Sequence, residues 1–98
     1  MTKLEMLFAN LAQLEDRFSA AALAYRLADS AARKSRSKAN LAAYVAASDE
    51  FDNALEAVRR AQAAVYCEEK AEEYAERASE ALAERSLSPD FDFDRAQA

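Results

Sequence analysis

The chain has 98 residues, with no glycine or histidine, one proline, one cysteine and a formal net charge of −5 at pH 7. These counts exclude glycine-rich phosphate loops, dinucleotide fingerprints and the usual nucleophile elbow, and they leave too few Cys or His ligands for a zinc site. Because the chain also lacks an imidazole base and an internal disulfide, we predict a non-enzymatic cytoplasmic protein without a metal or cofactor.

The composition predicts an all-α fold with a thin core. Ala, Glu, Leu, Arg and Lys account for 60 of the 98 residues, which exceeds the share typical of coiled coils and long helices. Leu, Val and Phe together supply only 18 residues, and Ile is absent. A domain of this size then has few large side chains to bury. We therefore expect further burial from a partner or from a second copy, so a homodimer is one predicted state.

The first predicted helix begins after Thr2, because Thr2 and Glu5 have the spacing of a capping box, which satisfies free backbone N–H groups. An apolar series follows with alternating spacings of three and four residues, which is the seam pattern of a coiled coil. Its members are Leu4, Leu7, Leu11, Leu14, Phe18, Ala21, Tyr25, Ala28 and Ala32. Phe8, Leu23 and Leu27 lie outside this seam and suggest burial on a second side of the helix.

A turn and a second helix are predicted next. From Ser30 to Lys38 the apolar pattern stops, and serines there can cap a following helix. The spacing of three and four then resumes in a second seam, which consists of Leu41, Tyr44, Ser48, Phe51, Leu55, Val58, Gln62 and Val65. Because the turn is short, the second helix should lie antiparallel to the first.

The phase of the apolar pattern changes near residues 67–70. At about 100° per residue, the apolar residues that follow point almost opposite to the second seam. They are Ala71, Tyr74, Ala75, Ala78 and Leu82. Either one helix continues, with no more than a slight kink, or a third helix begins. We favour continuity because neither Gly nor Pro interrupts the chain there, and we predict a long antiparallel, coiled-coil-like helical hairpin, with a three-helix bundle as the alternative.

The expected organisation is one helical domain over residues 1–86. Its helices are placed at about residues 3–33, 38–66 and 67–86, and the last two are allowed to be continuous. Residues 87–98 are expected to form a short acidic and aromatic C-terminal tail, because serines and the single proline end the helical pattern.

Charge is unevenly distributed along the chain. Residues 1–48 carry a net charge of +3, whereas residues 49–98 carry −8. Six glutamates of the second half fall within an arc of about 120° on a helix of 3.6 residues per turn. These glutamates are Glu69, Glu72, Glu73, Glu76, Glu80 and Glu84. The simpler interpretation is a solvated helix face. The functional hypothesis is a surface that imitates a nucleic-acid backbone and binds a protein partner with a basic surface.

Aspartate and phenylalanine alternate in the predicted tail, in the order Asp90, Phe91, Asp92, Phe93 and Asp94. Either both aromatic rings pack back onto the helices, or they anchor the chain on a protein partner. The three aspartates have the spacing of the start of a calcium loop. The sixth position of such a loop requires glycine and is Arg95 here, so we expect no calcium site.

Basic residues cluster at the predicted turn, namely Arg33, Lys34, Arg36 and Lys38. No aromatic residues are interleaved with them, so we predict solvated charges rather than direct binding of nucleic acid or membrane. Cys67 is expected to be a partly buried helical residue. The four tyrosines, Tyr25, Tyr44, Tyr66 and Tyr74, are expected in the core or at an interface.

Together these features predict a non-catalytic protein–protein interaction module. Its size, acidity and missing catalytic groups are similar to those of small acidic phage proteins that disarm host defence, anti-CRISPRs among them. That similarity implies an inhibitor or adaptor that covers a basic surface of a nucleic-acid-processing complex. The alternative is a structural coiled-coil oligomer or scaffold whose acidic face only maintains solubility. Because no cleft-forming loops are predicted, no small-molecule substrate is expected.

Overall fold

The computed structural model describes the backbone of residues 1–87 and the side chains of residues 1–85. Two helices account for nearly all of the described chain, α1 at Lys3–Lys34 and α2 at Lys38–Leu87, and no strand occurs within it. The all-α prediction is confirmed. By its internal contacts the chain divides into two units, Met1–Tyr66 and Cys67–Ala98. The expectation of a single domain over residues 1–86 stays a prediction.

The start of α1 follows the capping prediction. The Thr2 hydroxyl accepts a hydrogen bond from the Glu5 backbone amide at 3.1 Å, and the Thr2 carbonyl accepts one from the Met6 amide at 3.0 Å. The side-chain bond satisfies a backbone N–H that a helix start otherwise leaves free, and the second bond is the first backbone hydrogen bond of the helix. The local sequence therefore sets this helix boundary.

The turn between the helices consists of Ser35, Arg36 and Ser37 and is held by hydrogen bonds at both of its ends. The predicted serine cap is at Ser37, whose hydroxyl accepts from the Asn40 amide at 3.1 Å. The Asn40 side-chain amide donates back to the carbonyls of Ser35 at 2.8 Å and Ala31 at 3.3 Å. One side chain thus satisfies carbonyl groups at the end of α1 while its own backbone begins α2. Sequence analysis missed this role of Asn40.

Within Met1–Tyr66, α1 and the first part of α2 pack as an antiparallel hairpin. The centroids of the Phe18 and Phe51 rings are 5.2 Å apart, and those of Tyr25 and Tyr44 are 5.5 Å apart. The Tyr25 ring also lies 5.4 Å from that of Phe51. Since a later residue of α1 pairs with an earlier residue of α2, the two helices run in opposite directions, as predicted from the short turn.

Both predicted seams face the inside of this hairpin. Every member of the α1 seam is buried or half-buried, and so is every member of the α2 seam except Leu41 and Gln62. The most deeply buried residues are small, namely Ala21, Ala32, Ala54, Val58, Ala61 and Val65. No large side chain is fully buried among the described residues. The thin core expected from composition is therefore present, although the sequence analysis omitted Ala54 and Ala61.

The expected burial on a second side of α1 was wrong for this single chain. Phe8, Leu23 and Leu27 are exposed, with 63% of the Leu27 surface accessible. Tyr66 is exposed as well, so it does not lie in the core of the single chain. In a hairpin of two helices each helix has only one neighbour, so only one face of each can be covered.

Residues 67–70 are helical and belong to α2, as favoured from the absence of Gly and Pro, and no third helix begins there. The expected partial burial of Cys67 was wrong, because its side chain is exposed. Tyr74 is exposed too, at 61%. The described part of Cys67–Ala98 is a single helix, which cannot bury its own side chains. None of the described helices is long and apolar enough to cross a membrane.

Candidate interaction surface

The six glutamates predicted as a partner-binding site lie along one side of α2 within Cys67–Ala98, and we call them the acidic stripe. Glu73 is half-buried, and the side chains of Glu69, Glu72, Glu76, Glu80 and Glu84 are exposed. Since a helix rises about 1.5 Å per residue, the stripe extends about 22 Å, with one carboxylate for about every 4.5 Å of axis. The predicted alignment of these residues on one helix face agrees with the helical conformation of the segment.

Glu73 differs from the rest of the acidic stripe because its charge is compensated. One of its carboxylate oxygens accepts from Lys70 Nζ at 3.2 Å, and the other accepts from Arg77 Nη2 at 2.7 Å. The Arg77 guanidinium also lies over the Tyr74 ring, 5.8 Å from its centroid. These contacts link about two turns of the helix through local pairs at spacings of three and four.

The five exposed glutamates of the acidic stripe form no ion pair with any other described residue. Several of them are spaced four residues apart, as are Glu72 and Glu76, or Glu80 and Glu84. Like charges at this spacing destabilise a helix by about 0.2–0.5 kcal/mol per pair. The acidic stripe therefore carries uncompensated charge, and the repulsion between its glutamates destabilises the helical conformation of this segment.

The opposite side of the same segment is apolar. It carries Ala71, Tyr74, Ala75, Ala78 and Leu82, all exposed, with 63% of the Leu82 surface accessible. A partner that wraps the segment would therefore meet carboxylates on one side and small apolar residues with two larger ones on the other.

The second group of predicted site residues, Asp90, Phe91, Asp92, Phe93 and Asp94, lies outside the described residues and stays a prediction.

Two polar contacts between α1 and α2 were missed by sequence analysis. Arg17 Nε donates to Glu50 Oε1 at 2.8 Å, and this hydrogen bond, helped by charge attraction, lowers the pKa of the Glu50 carboxyl from its ordinary value of 4.5. The hydroxyls of Tyr25 and Tyr44 are 3.0 Å apart, and this hydrogen bond raises the pKa of Tyr25 above 10.0. Both contacts join residues far apart in sequence, so periodicity alone gives no signal for them.

The described residues contain no group of three or more His, Cys, Asp or Glu side chains that could hold a metal ion. The carboxylates of the acidic stripe lie along one side of a helix. No protein-family model matches the sequence, and searches among curated proteins and solved structures find no significant match.

Proposed function

We propose that the chain is a non-catalytic, cytoplasmic protein–protein interaction module whose acidic stripe binds a basic surface of a protein partner. In its specific form, the proposal is an inhibitor or adaptor that covers the nucleic-acid site of a nucleic-acid-processing complex. The similarity in size and charge to small phage anti-defence proteins, anti-CRISPRs among them, suggests a host defence complex as the target.

The observation that carries this proposal is the uncompensated charge of the acidic stripe. Five exposed glutamates have no ion pair within the described chain, and their spacing adds like-charge repulsion to the helix. A basic partner surface would remove that repulsion and release counterions from both proteins. Binding would therefore recover helix stability that the free protein lacks.

The spacing of charge supports the imitation of nucleic acid. The acidic stripe has one carboxylate for about every 4.5 Å of helix axis, and one strand of DNA has one phosphate for about every 3.4 Å. Lys and Arg side chains that are placed to contact phosphates could then reach successive glutamates. The carboxylates are spaced more widely than the phosphates, so the likeness in linear charge density is approximate. Because the attraction is between charges, the affinity should fall as salt is added.

The test is affinity capture from a nuclease-treated bacterial lysate, with quantitative mass spectrometry of the captured proteins. The variant Glu72→Gln/Glu76→Gln/Glu80→Gln removes three charges, and Gln retains both side-chain size and helix propensity. We expect capture of the specific partner to fall about tenfold or more, and we expect added double-stranded DNA to displace that partner from the wild-type chain.

A matched control removes the same number of charges from α1. Glu5→Gln/Glu15→Gln/Asp16→Asn changes three exposed residues and should leave capture unchanged. Equal capture by wild type and by the Glu72, Glu76 and Glu80 variant would contradict the proposal. A partner that is retained in the presence of excess DNA would contradict the nucleic-acid form of it.

The second candidate function is a structural coiled-coil oligomer, and the exposed apolar residues favour it. Phe8, Leu23, Leu27, Leu41 and Val45 are all exposed within Met1–Tyr66. Exposed apolar residues of this size can be covered by association with further copies. A stable higher oligomer in sedimentation equilibrium, with no partner captured, would favour the scaffold over the inhibitor.

A further inference from the structure

A groove of about 300 Å³ lies beside the turn that joins α1 to α2. Its lining consists of Asp29, Ala32, Arg33, Arg36, Leu41 and Tyr44. Ala32, Leu41 and the Tyr44 ring supply an apolar part, and two guanidinium groups supply a basic part. A cavity of about 150 Å³ is large enough to bind benzene, so this groove has room for one phenyl ring.

The basic part of the groove has donors that no described residue uses. Arg33 Nε donates to Asp29 Oδ2 at 3.0 Å, which compensates the one carboxylate of the lining and leaves the terminal nitrogens of Arg33 available. Arg36 is exposed and forms no ion pair or hydrogen bond with another described residue. Residues 33–38, which are the turn and the helix ends beside it, include four basic residues and no acidic one. The groove therefore favours an occupant with both a carboxylate and an apolar group.

The chain itself contains a segment of that chemistry. Residues 90–94 alternate three aspartates with two phenylalanines. If such a segment binds in an extended conformation, its aspartates lie on one side and its phenylalanines on the other. One phenyl ring would then enter the apolar part of the groove while neighbouring carboxylates reach Arg33 and Arg36. No other stretch of the sequence alternates aspartate with phenylalanine in this way.

We propose that this groove binds the acidic and aromatic segment, residues 90–94, of a second copy of the chain. Charge complementarity supports this occupant, because residues 33–38 include four basic residues and residues 90–94 include three aspartates. The thin core of the single chain supports a second copy as its source. Two copies can each supply one groove and one segment, which gives a closed dimer with two identical contacts. The inference goes beyond the proposed function, since it uses none of the six glutamates of the acidic stripe.

The test is sedimentation velocity of the full chain over a range of concentrations, at about 20 mM and about 500 mM NaCl. We expect a dimer that weakens at the higher salt concentration. Phe91→Ala/Phe93→Ala removes the anchors and should raise the dissociation constant by roughly thirtyfold, as for an interface hot spot. Arg36→Glu should raise it about tenfold, whereas Arg26→Glu, an equal charge change outside the groove, should have little effect.

A mixing experiment identifies the source of the occupant. The Phe91→Ala/Phe93→Ala chain retains its groove, and the Arg36→Glu chain retains its segment. A heterodimer of the two therefore has one intact contact and should form more tightly than the homodimer of either variant. Circular dichroism checks that each variant is as helical as wild type. Arg36→Gln gives a second, uncharged test of the groove, and its effect should have the same direction.

Three results would overturn the proposal. The first is a wild-type chain that stays monomeric at all concentrations, which would show that no second copy supplies the segment. This conclusion would hold even if a separate peptide of residues 88–98 bound the Phe91→Ala/Phe93→Ala chain. A dimer that both groove and segment variants leave unchanged would show association elsewhere. Binding of a single-stranded DNA oligonucleotide that Arg36→Glu abolishes, with self-association unchanged, would assign the groove to nucleic acid.

Discussion

Two stretches of α2, residues 38–66 and residues 67–85, have apolar residues at similar helical spacing but differ in burial. Tyr44 and Val58 in the first stretch lie against α1 within the hairpin, whereas Tyr74 and Leu82 in the second are exposed. Both stretches belong to one continuous helix. The comparison teaches that a spacing of three and four predicts an apolar helix face that is suited to packing. That face is buried only where a neighbouring element packs against it.

The two stretches also differ in what stabilises their helical conformation. Residues 38–66 gain from packing on α1, which is the usual source of helix stability in proteins. Residues 67–85 depend on helix propensity and on local pairs such as those that Glu73 forms with Lys70 and Arg77. Substitutions of the same kind should therefore have unequal effects in the two stretches.

The largest difference is expected when the same charge is introduced into the apolar face of each stretch. Ala54 is 0% exposed, so Ala54→Glu forces a larger, charged side chain into the hairpin and should cost about 3 kcal/mol of unfolding free energy. Ala78→Glu makes the same change at an exposed seam position and should cost less than about 0.5 kcal/mol. Urea unfolding followed by circular dichroism measures both. Equal costs would mean that residues 67–85 are packed as tightly as the hairpin.

A smaller difference is expected when an aromatic ring is removed from each stretch. Phe51 packs on Phe18 and Tyr25, and Phe51→Ala should lower the unfolding free energy by about 2 kcal/mol, below the range for fully buried rings because Phe51 is half-buried. Tyr74→Ala loses an exposed ring and should change it little. Thermal unfolding compares the two variants. A larger effect of Tyr74→Ala would indicate that its ring is covered in solution.

Asn40→Ala should lower the unfolding free energy by about 1–2 kcal/mol, because it removes two hydrogen bonds to carbonyls at the end of α1. Asn53→Ala is the matched control, because Asn53 is exposed on the same helix within residues 38–66. Chemical denaturation of both variants tests the difference. If both substitutions lower the unfolding free energy equally, the effect comes from replacing an asparagine within a helix and not from the contacts at the turn.

The smallest effect is expected from the exposed pair formed by Arg17 and Glu50. Hydrogen bonding to Arg17 lowers the pKa of Glu50 in the folded chain, so the pair stabilises the fold above the ordinary carboxyl value of 4.5. That stability is lost as the pH falls from there through the lowered pKa. The stability difference between wild type and Glu50→Gln should therefore shrink over this interval, as measured by unfolding at each pH. A difference that is constant with pH would exclude this linkage.

Much of the fold follows from features that are close together in sequence. The Thr2 cap, the Ser37 cap and the two seams were predictable because each depends on side chains within one or two helical turns. The helical conformation of residues 67–70 was predictable from the lack of helix-breaking residues. Sequence analysis did not identify Asn40 as the residue that closes the turn, because its role requires the end of α1 to lie next to the start of α2.

Only some features of the acidic stripe could be predicted from residues that are close together in sequence. Its alignment on one face follows from helical geometry alone, and the pairing of Glu73 with Arg77 follows from their spacing. The exposure of its other members agrees with the predicted solvated face. The exposure of the opposite apolar face could not be predicted, because it depends on whether another element packs there.

The sequence by itself determined the all-α class, the start of α1 and the position of the turn, because capping, propensity and seam spacing are local properties of the chain. It left open whether one helix or two follow the turn. Only the tertiary structure decided which seam residues became a core and which stayed in solvent. Burial requires a second surface within contact distance, and α1 supplies that surface to residues 38–66 through the ring contacts of Phe18 and Tyr25. Long-range contacts such as that of Arg17 with Glu50 follow from the same pairing of helices.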